Sequence, residues 1–230
     1  MITRPPSFAC LLLCAAVFLG VAQAAPAPDG AQEGAACSAA LRQVFLAQDQ
    51  AAAALPAPCR RLGPVALGMR QQDVVDALGK PDATRRGAAR PDTVLVYLYP
   101  RGLNERLARH PLPPGSLDHG ELAIRFRDGR VVNIIAFGPH GELPGFGLPG
   151  LALGADVGTQ LQTVGGHPQW NASRDYVQFA AMPLGLEVDP DTSAVIGIDI
   201  AATKQDLEHF SLPPLRLHKD GRSGLVSGIH

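Results

Sequence analysis

The stretch LGMRQQDVVDALGKP, Leu67 to Pro81, is echoed further along the chain by LGADVGTQLQTVGGHP, Leu153 to Pro168. Aligned on Gly68 and Gly154, each opens on apolar residues and a glycine: Val65-Ala66-Leu67-Gly68 and Leu151-Ala152-Leu153-Gly154. Each then predicts one short helix. Val74, Val75 and Leu78 make the apolar face of the first, and Val157, Leu161 and Val164 that of the second, at the spacing of a helix that buries one side. Each helix stops at glycine, Gly79 or Gly165-Gly166, where a left-handed C-cap is easily reached. Proline follows, Pro81 or Pro168, and bars continuation. Asp156 stands where an N-cap belongs. Its counterpart Arg70 cannot cap that way, so the first helix is expected to fray more at its start.

Strands are expected after each helix. The first copy offers TVLVYLY (Thr93–Tyr99), ELAIRFR (Glu121–Arg127) and RVVNIIAF (Arg130–Phe137), the last two joined by Asp128-Gly129, a strong hairpin signal. The second offers DYVQFAA (Asp175–Ala181), LGLEV (Leu184–Val188) and AVIGIDIA (Ala194–Ala201), with a turn at Asp189–Ser193. The expected fold is therefore α+β: two tandem units, each a short helix or helix pair packed on a three-stranded antiparallel sheet. One unit alone buries little core, and two packed together bury more. Whether the two sheets join is left open by the sequence.

Around these units the chain divides as follows. Residues 1–24 have one basic residue, Arg4, an apolar run from Phe8 to Val21, and Ala22-Gln23-Ala24 at the end, the layout of a cleaved secretory signal. The run is short for a spanning helix, and an uncleaved anchor is the competing reading. Residues 25–36 read as a flexible leader, 37–138 as the first unit, 139–149 as a Gly/Pro linker, 150–202 as the second unit, and 203–230 as a short helix capped by Thr203 with a tail of no sustained period. Removal of the signal takes two of the four cysteines and leaves Cys37 and Cys59. In an oxidising compartment these are expected to form a disulfide, bridging a helix with Leu41, Val44, Phe45 and Leu55 on one side. Free redox thiols are the alternative, without a C-x-x-C to support them.

The net charge of −1 provides no positive excess to hold a nucleic-acid backbone. Arginine outnumbers lysine 17 to 3, and Ala, Gly and Pro are abundant, usage that suggests a GC-rich bacterial genome and hence the periplasm or the exterior. No membrane span is expected in the mature chain. Catalysis has no visible apparatus. G-x-S-x-G, H-E-x-x-H and the G-K-[ST] phosphate loop are all missing, and His110, His119 and His140 fall in or beside loops at no ligand spacing. His167, near Trp170, reads as a polar helix end. Asp189 and Asp191 lack the run of ligands that calcium requires. The sequence thus points away from an enzyme and implies no cofactor and no metal.

The run Leu67–Asp82 with its later hairpin resembles the SmpA/OmlA-type domain of bacterial outer-membrane assembly lipoproteins. Gly68, Met69, Val74, Leu78, Gly79 and Pro81 carry the likeness. Arg70 departs where that family has Thr or Ser, and the family's lipidated cysteine is missing. Two such units in a secreted chain are similar to the β-lactamase inhibitor proteins. The resemblance covers roughly residues 60–138 and 148–202, and it implies binding of another protein across an exposed sheet face.

The hairpin turn gives a first assignment of faces. Pairing Arg127 with Arg130, Phe126 with Val131, Arg125 with Val132 and Ile124 with Asn133 puts Leu122, Ile124, Phe126, Val131, Ile135 and Phe137 under the helices. The open face then carries Arg125, Arg127 and Arg130 with Ala123, Val132 and Ile134 between them. Tyr97 and Tyr99 would join it, and tyrosine and arginine are frequent interface anchors. The candidate binding residues are Tyr97, Tyr99, Arg125, Arg127, Arg130 and Val132, with Tyr176, Gln178, Glu187 and Asp199 on the matching side of the second copy. A merely solvated sheet face is the competing reading. The excess segment 100–120 is either a recognition loop or a tolerated insertion. The expected function is that of an exported protein-binding module: an envelope-assembly accessory, an inhibitor or an immunity-type factor. A cell-wall or small-ligand binder, or an enzyme of unrecognised type, is the alternative.

Overall fold

The structure, a computed structural model of the chain, describes residues 30–46, 54–86, 92–110, 119–138, 143, 145–148, 151–165, 168–180, 182–208, 215–216 and 224–225. The span 1–24 read as a secretory signal lies outside the described residues, as does most of the tail after 208. Among the described residues no helix is long and apolar enough to cross a membrane.

The elements run α1 (Gly30–Leu46), β1 (Arg61–Leu62), β2 (Val65–Ala66), α2 (Gln71–Leu78), β3 (Ala83–Arg86), β4 (Thr93–Tyr99), α3 (Leu103–Arg109), β5 (Gly120–Arg127), β6 (Arg130–Phe137), α4 (Val157–Val164), β7 (Pro168–Trp170), β8 (Tyr176–Phe179), β9 (Leu184–Val188), β10 (Val195–Ala201), α5 (Lys204–Glu208), β11 (Leu215–Arg216) and β12 (Gly224–Leu225). The class is α+β. Its centre is one large antiparallel sheet of eight strands in the order β3-β4-β5-β6-β10-β9-β8-β7. β6 pairs with β10, from Gly197 opposite Phe137 to Ala201 opposite Asn133, so the sheet is continuous. Each half has four strands where the sequence suggested three. The added strands, Ala83–Arg86 and Pro168–Trp170, form the two edges. Arginine and proline are edge residues that discourage further pairing, and such short segments lack the apolar alternation by which strands are recognised.

The two helices after the repeated glycines are held alike. Gly68 N–H donates to Val131 O at 2.8 Å, and Gly154 N–H to Val195 O at 2.7 Å. Val131 N–H returns to Met69 O, and Val195 N–H to Ala155 O. Gln71 N–H reaches Gly129 O, and Val157 N–H reaches Ser193 O. Asp156 caps α4, accepting from Thr159 N–H at 2.8 Å. Arg70 makes no cap and instead pairs with Asp73 at 2.9 Å. Gly79 and Gly165 end the helices at φ 79°, ψ −166° and φ 79°, ψ −167°. That combination is outside the left-handed helical region expected of these caps and belongs almost wholly to glycine.

Helices α1, α2 and α4 pack on one face of the sheet. Leu41, Val74, Val157 and Val164 join Leu95, Leu122, Ile124, Phe126, Ile198 and Ile200 in the main core. The face assignment from the sequence holds for Leu122, Ile124, Phe126 and Val131 and fails beyond them. The register shifts by one residue after Phe126↔Val131: Arg125 faces Asn133, and Ile124 faces Ile134. A β-bulge at Val132 supplies the extra residue, and a bulge reverses every later side chain on its strand. Ile134 and Ala136 therefore enter the main core, and Ile135 and Phe137 go to the opposite face, where Val94, Val96, Leu98, Leu103 and Ala123 form a second cluster.

Two more expectations are corrected. Helix α1 begins at Gly30, inside the span 25–36 read as a flexible leader; alanine-rich sequence continues the helix ahead of Cys37. The segment 139–149 read as a linker contributes Leu143, Phe146 and Leu148 to the main core, each under a tenth exposed. Thr203 caps α5 as expected, accepting from Asp206 N–H at 3.2 Å.

Cys37 and Cys59 are joined by a disulfide, which ties α1 to the segment ahead of β1. From α1, Phe45 stacks on Phe179 of β8 with ring centroids 5.6 Å apart. The bridge thus fastens to the first half of the chain a helix that packs on the second. Replacing both cysteines with alanine is expected to lower stability by about 3 kcal/mol, measured by urea unfolding. An unchanged midpoint and slope would show that the bridge adds nothing to the packing of α1.

Candidate functional site

Strand β4 is apolar on both faces, so period alone cannot orient it. Its pairing does: Tyr97 faces Leu122 and Tyr99 faces Gly120, which turns both tyrosines toward the main core. Tyr97 is fully buried, and its hydroxyl has no partner among the described residues. Burial pushes its pKa up to about 12. Tyr99 lies against Phe146, centroids 5.5 Å apart. The Arg101 guanidinium sits 5.3 Å from the Tyr97 ring and 5.9 Å from the Tyr99 ring, at cation–π range, and is held by Asp82 at 2.8 Å. Neither tyrosine belongs to an open sheet face.

Arg125 is on the second face, as expected, but it is not solvated. It is 4% exposed and pairs with Asp92 at 3.4 Å and with Asp206 at 3.5 Å, while also donating to the Asp206 backbone carbonyl. Arg127 reaches Asp206 at 2.6 Å and Asp92 at 3.4 Å. Two arginines and two aspartates thus close a charge-balanced network that seats α5 on the sheet. Burial pulls the Arg125 pKa down, and the two aspartates act against that. This pairing is not legible in the sequence, because Asp92 and Asp206 lie far from Arg125 along the chain. Arg130 is exposed at the hairpin and donates to Gly68 O at 3.0 Å. Val132, the bulged residue, accepts from Ala202 N–H through its carbonyl at 2.8 Å. The six residues nominated from the sequence are therefore dispersed over the two faces and the hairpin end.

What the second face brings together lies toward β10, β9 and β8. Tyr176 stands opposite Glu187, and Asp199 stands opposite Gly185. Tyr176 lies flat over Gly185, where any Cβ would collide with its hydroxyl, and Glu187 lies over Gly197 in the same way. Glycine here makes room for a side chain from the next strand. Asn133 of β6 donates to Asp199 at 2.5 Å and to Ile200 O at 3.2 Å. Asp199 is buried, with its pKa raised well above the carboxylate range, chiefly by that burial. Tyr176, Gln178 and Glu187 are half-buried, and Gln169 on the edge strand is exposed. Trp170, 39% exposed, stands opposite buried Val177 and so is on the other face of the edge strand. Among the described residues, no group of three His, Cys, Asp or Glu is placed to hold a metal ion.

These contacts set the outcome of two substitutions. Arg125→Ala leaves two buried aspartates with only Arg127 between them, and loss of one partner from a buried pair is expensive. It is expected to cost about 3 kcal/mol or more in urea unfolding, and Arg127→Ala, whose side chain is partly open, distinctly less. Equal small losses would mean the network is dispensable. Gly185→Ala should expel Tyr176 from its seat, seen as a change in tyrosine near-ultraviolet circular dichroism that Gly185→Ala with Tyr176→Ala lacks.

No protein-family model matches the chain, and a comparison with curated proteins finds no match. Among solved structures, the chain is similar to a cysteine-rich secretory protein from Staphylococcus aureus, at 10% identity and a TM-score of 0.41. The likeness covers 64% of this chain and 49% of that one, so the chain spans under half the length of that protein.

Proposed function

We propose that the chain is an exported protein-binding module, periplasmic or secreted, built by duplication of one α+β unit, and that its partner docks on the β7–β9 part of the second sheet face. Duplication is supported by the repeated glycine-led helices and by the backbone hydrogen bonds that recur at Gly68 and Gly154, at Val131 and Val195, and at Gln71 and Val157. Export is supported by the signal-like sequence at 1–24 and by the Cys37–Cys59 disulfide, a bond favoured outside the cytoplasm. The resemblance to SmpA/OmlA-type domains and to tandem inhibitor proteins points to the same class of work.

The observation that carries the binding surface is the row of half-open polar and aromatic side chains at Gln169, Tyr176, Gln178 and Glu187. They lie on the face away from α1, α2 and α4. Tyrosine is enriched at interface hot spots, and flat, pre-seated side chains lose little freedom on binding. Tyr97 and Arg125 no longer belong to this surface.

The mature protein, used as bait on an envelope extract, should retain one partner. The purified pair should then be titrated with Gln169→Ala, Gln178→Ala and Tyr176→Ala, each beside a thermal unfolding curve. At least one folded variant is expected to lose about 30-fold or more in affinity. Parent-like binding by all three would remove this surface, and failure to retain any partner would count against a binding role.

A further inference from the structure

The β6–β10 ladder alone joins the two halves of the large sheet. Its ends are fixed by Gly138 N–H donating to Ile196 O and Ala202 N–H donating to Val132 O, each at 2.8 Å. Acidic side chains straddle this seam on the second face. One row of the register runs Glu121, Phe137, Gly197, Glu187. Glu121 belongs to the first half and Glu187 to the second; Phe137 and Gly197 lie between them, and Gly197 leaves the space over β10 to Glu187. In the adjoining row Asp199 of the second half takes the Asn133 hydrogen bond from the first.

Donors are scarce here. Glu121 is 3% exposed, and its Oε1 has no partner among the described residues; Asn133 is fully buried, and its Oδ1 has none either. Arg85 of β3 is the cation that acts on Glu121. Arg125 of β5 acts on Asp199 but is already paired with Asp92 and Asp206. Against Glu187 stand further acids, Asp175 and Glu121. Tyr176 and Gln178 of β8 and His119 before β5 are the remaining polar neighbours in sequence and register. Burial is the main cause that lifts Glu121 and Glu187 each to about 7, so protonated carboxyls are the favoured occupants of the seam.

We propose that the seam between the two halves of the sheet is proton-gated: Glu121, Glu187 and Asp199 keep it closed while protonated and loosen it when they ionise. Parting β6 from β10 separates Glu121 from Glu187, releases Asp199 from Asn133 and admits water to the buried Glu121 and Asp199. The sign follows from the proton balance. For Glu121 and Glu187, folded and unfolded chains are both protonated below the ordinary carboxyl value of 4.5, and the contribution is complete. From there to about 7 the folded chain holds more protons, so stability falls as pH rises, and the contribution is lost above about 7; Asp199, also raised, acts in the same direction. This inference does not depend on the identity of any binding partner.

Amide hydrogen exchange of the full chain at about pH 5.5 and about pH 8, corrected for intrinsic rates, tests it. The Gly138 and Ala202 amides are expected to lose about tenfold or more of their protection at the higher pH, since one unit of proton affinity is a factor of ten. The β4–β5 amides should keep theirs. Glu121→Gln with Glu187→Gln should abolish most of the seam's pH dependence, and either single variant should reduce it if the pair does not fold. Seam protection equal at both pH values, a loss spread evenly over β4–β5, or a pH dependence undiminished in both single variants would each overturn the proposal.

Discussion

Everything in this molecule hangs on the pairing of β6 with β10. Without it there would be two half-sheets, each with a helix over one face and an additional exposed edge. With it, one face of eight strands runs unbroken beneath α1, α2 and α4, and Leu122, Ile124, Ile198 and Ile200 share a single core. Small α+β units bury too little apolar surface to be secure alone, and antiparallel joining at a central strand removes one exposed edge from each. The glycine-led turns serve this arrangement: each brings its helix back to the strand next to the seam, through hydrogen bonds to Val131 in one half and Val195 in the other.

The second face is built on different physics. A sheet with all its large helices on one side has to cope with the other. Here the first half covers that side with apolar residues, Val94, Val96, Leu98, Ile135 and Phe137. Next to them lie two opposite solutions to buried charge. Around Arg125 the charges are matched, two arginines to two aspartates. Around Glu121, Glu187 and Asp199 they are not, and burial raises the carboxyl pKa values instead.

Much of the fold was legible in the sequence. The six main strands, both repeated helices, the Asp156 cap, the Thr203 cap and the disulfide all follow from local rules of period, turn and compartment. The edge strands did not, because three or four residues such as Pro168–Trp170 carry no period. The face assignment failed at one residue. Asp128-Gly129 correctly fixed the pairs nearest the turn, but nothing in RVVNIIAF marks Val132 as surplus, since apolar residues occupy both faces beyond it. The candidate site suffered most from this. Tyr97 lies on a strand apolar on both sides, and the acids that bury Arg125 come from Asp92 and Asp206, contacts that only the tertiary fold creates. Tyr176, Gln178, Glu187 and Asp199 were correctly grouped, because β8, β9 and β10 follow each other through short turns.

Helix α1 is the earliest described element in the chain, yet its Phe45 rests on Phe179 of β8 and near Gly165 at the end of α4, more than a hundred residues further on. Its native seat does not exist until nearly the whole sequence has been made. Cys37 and Cys59, by contrast, are 22 residues apart and can meet without the later strands, because closing a loop of about twenty residues is fast. The covalent link can therefore form before the packing it serves, holding the helix near the nascent sheet while the rest arrives.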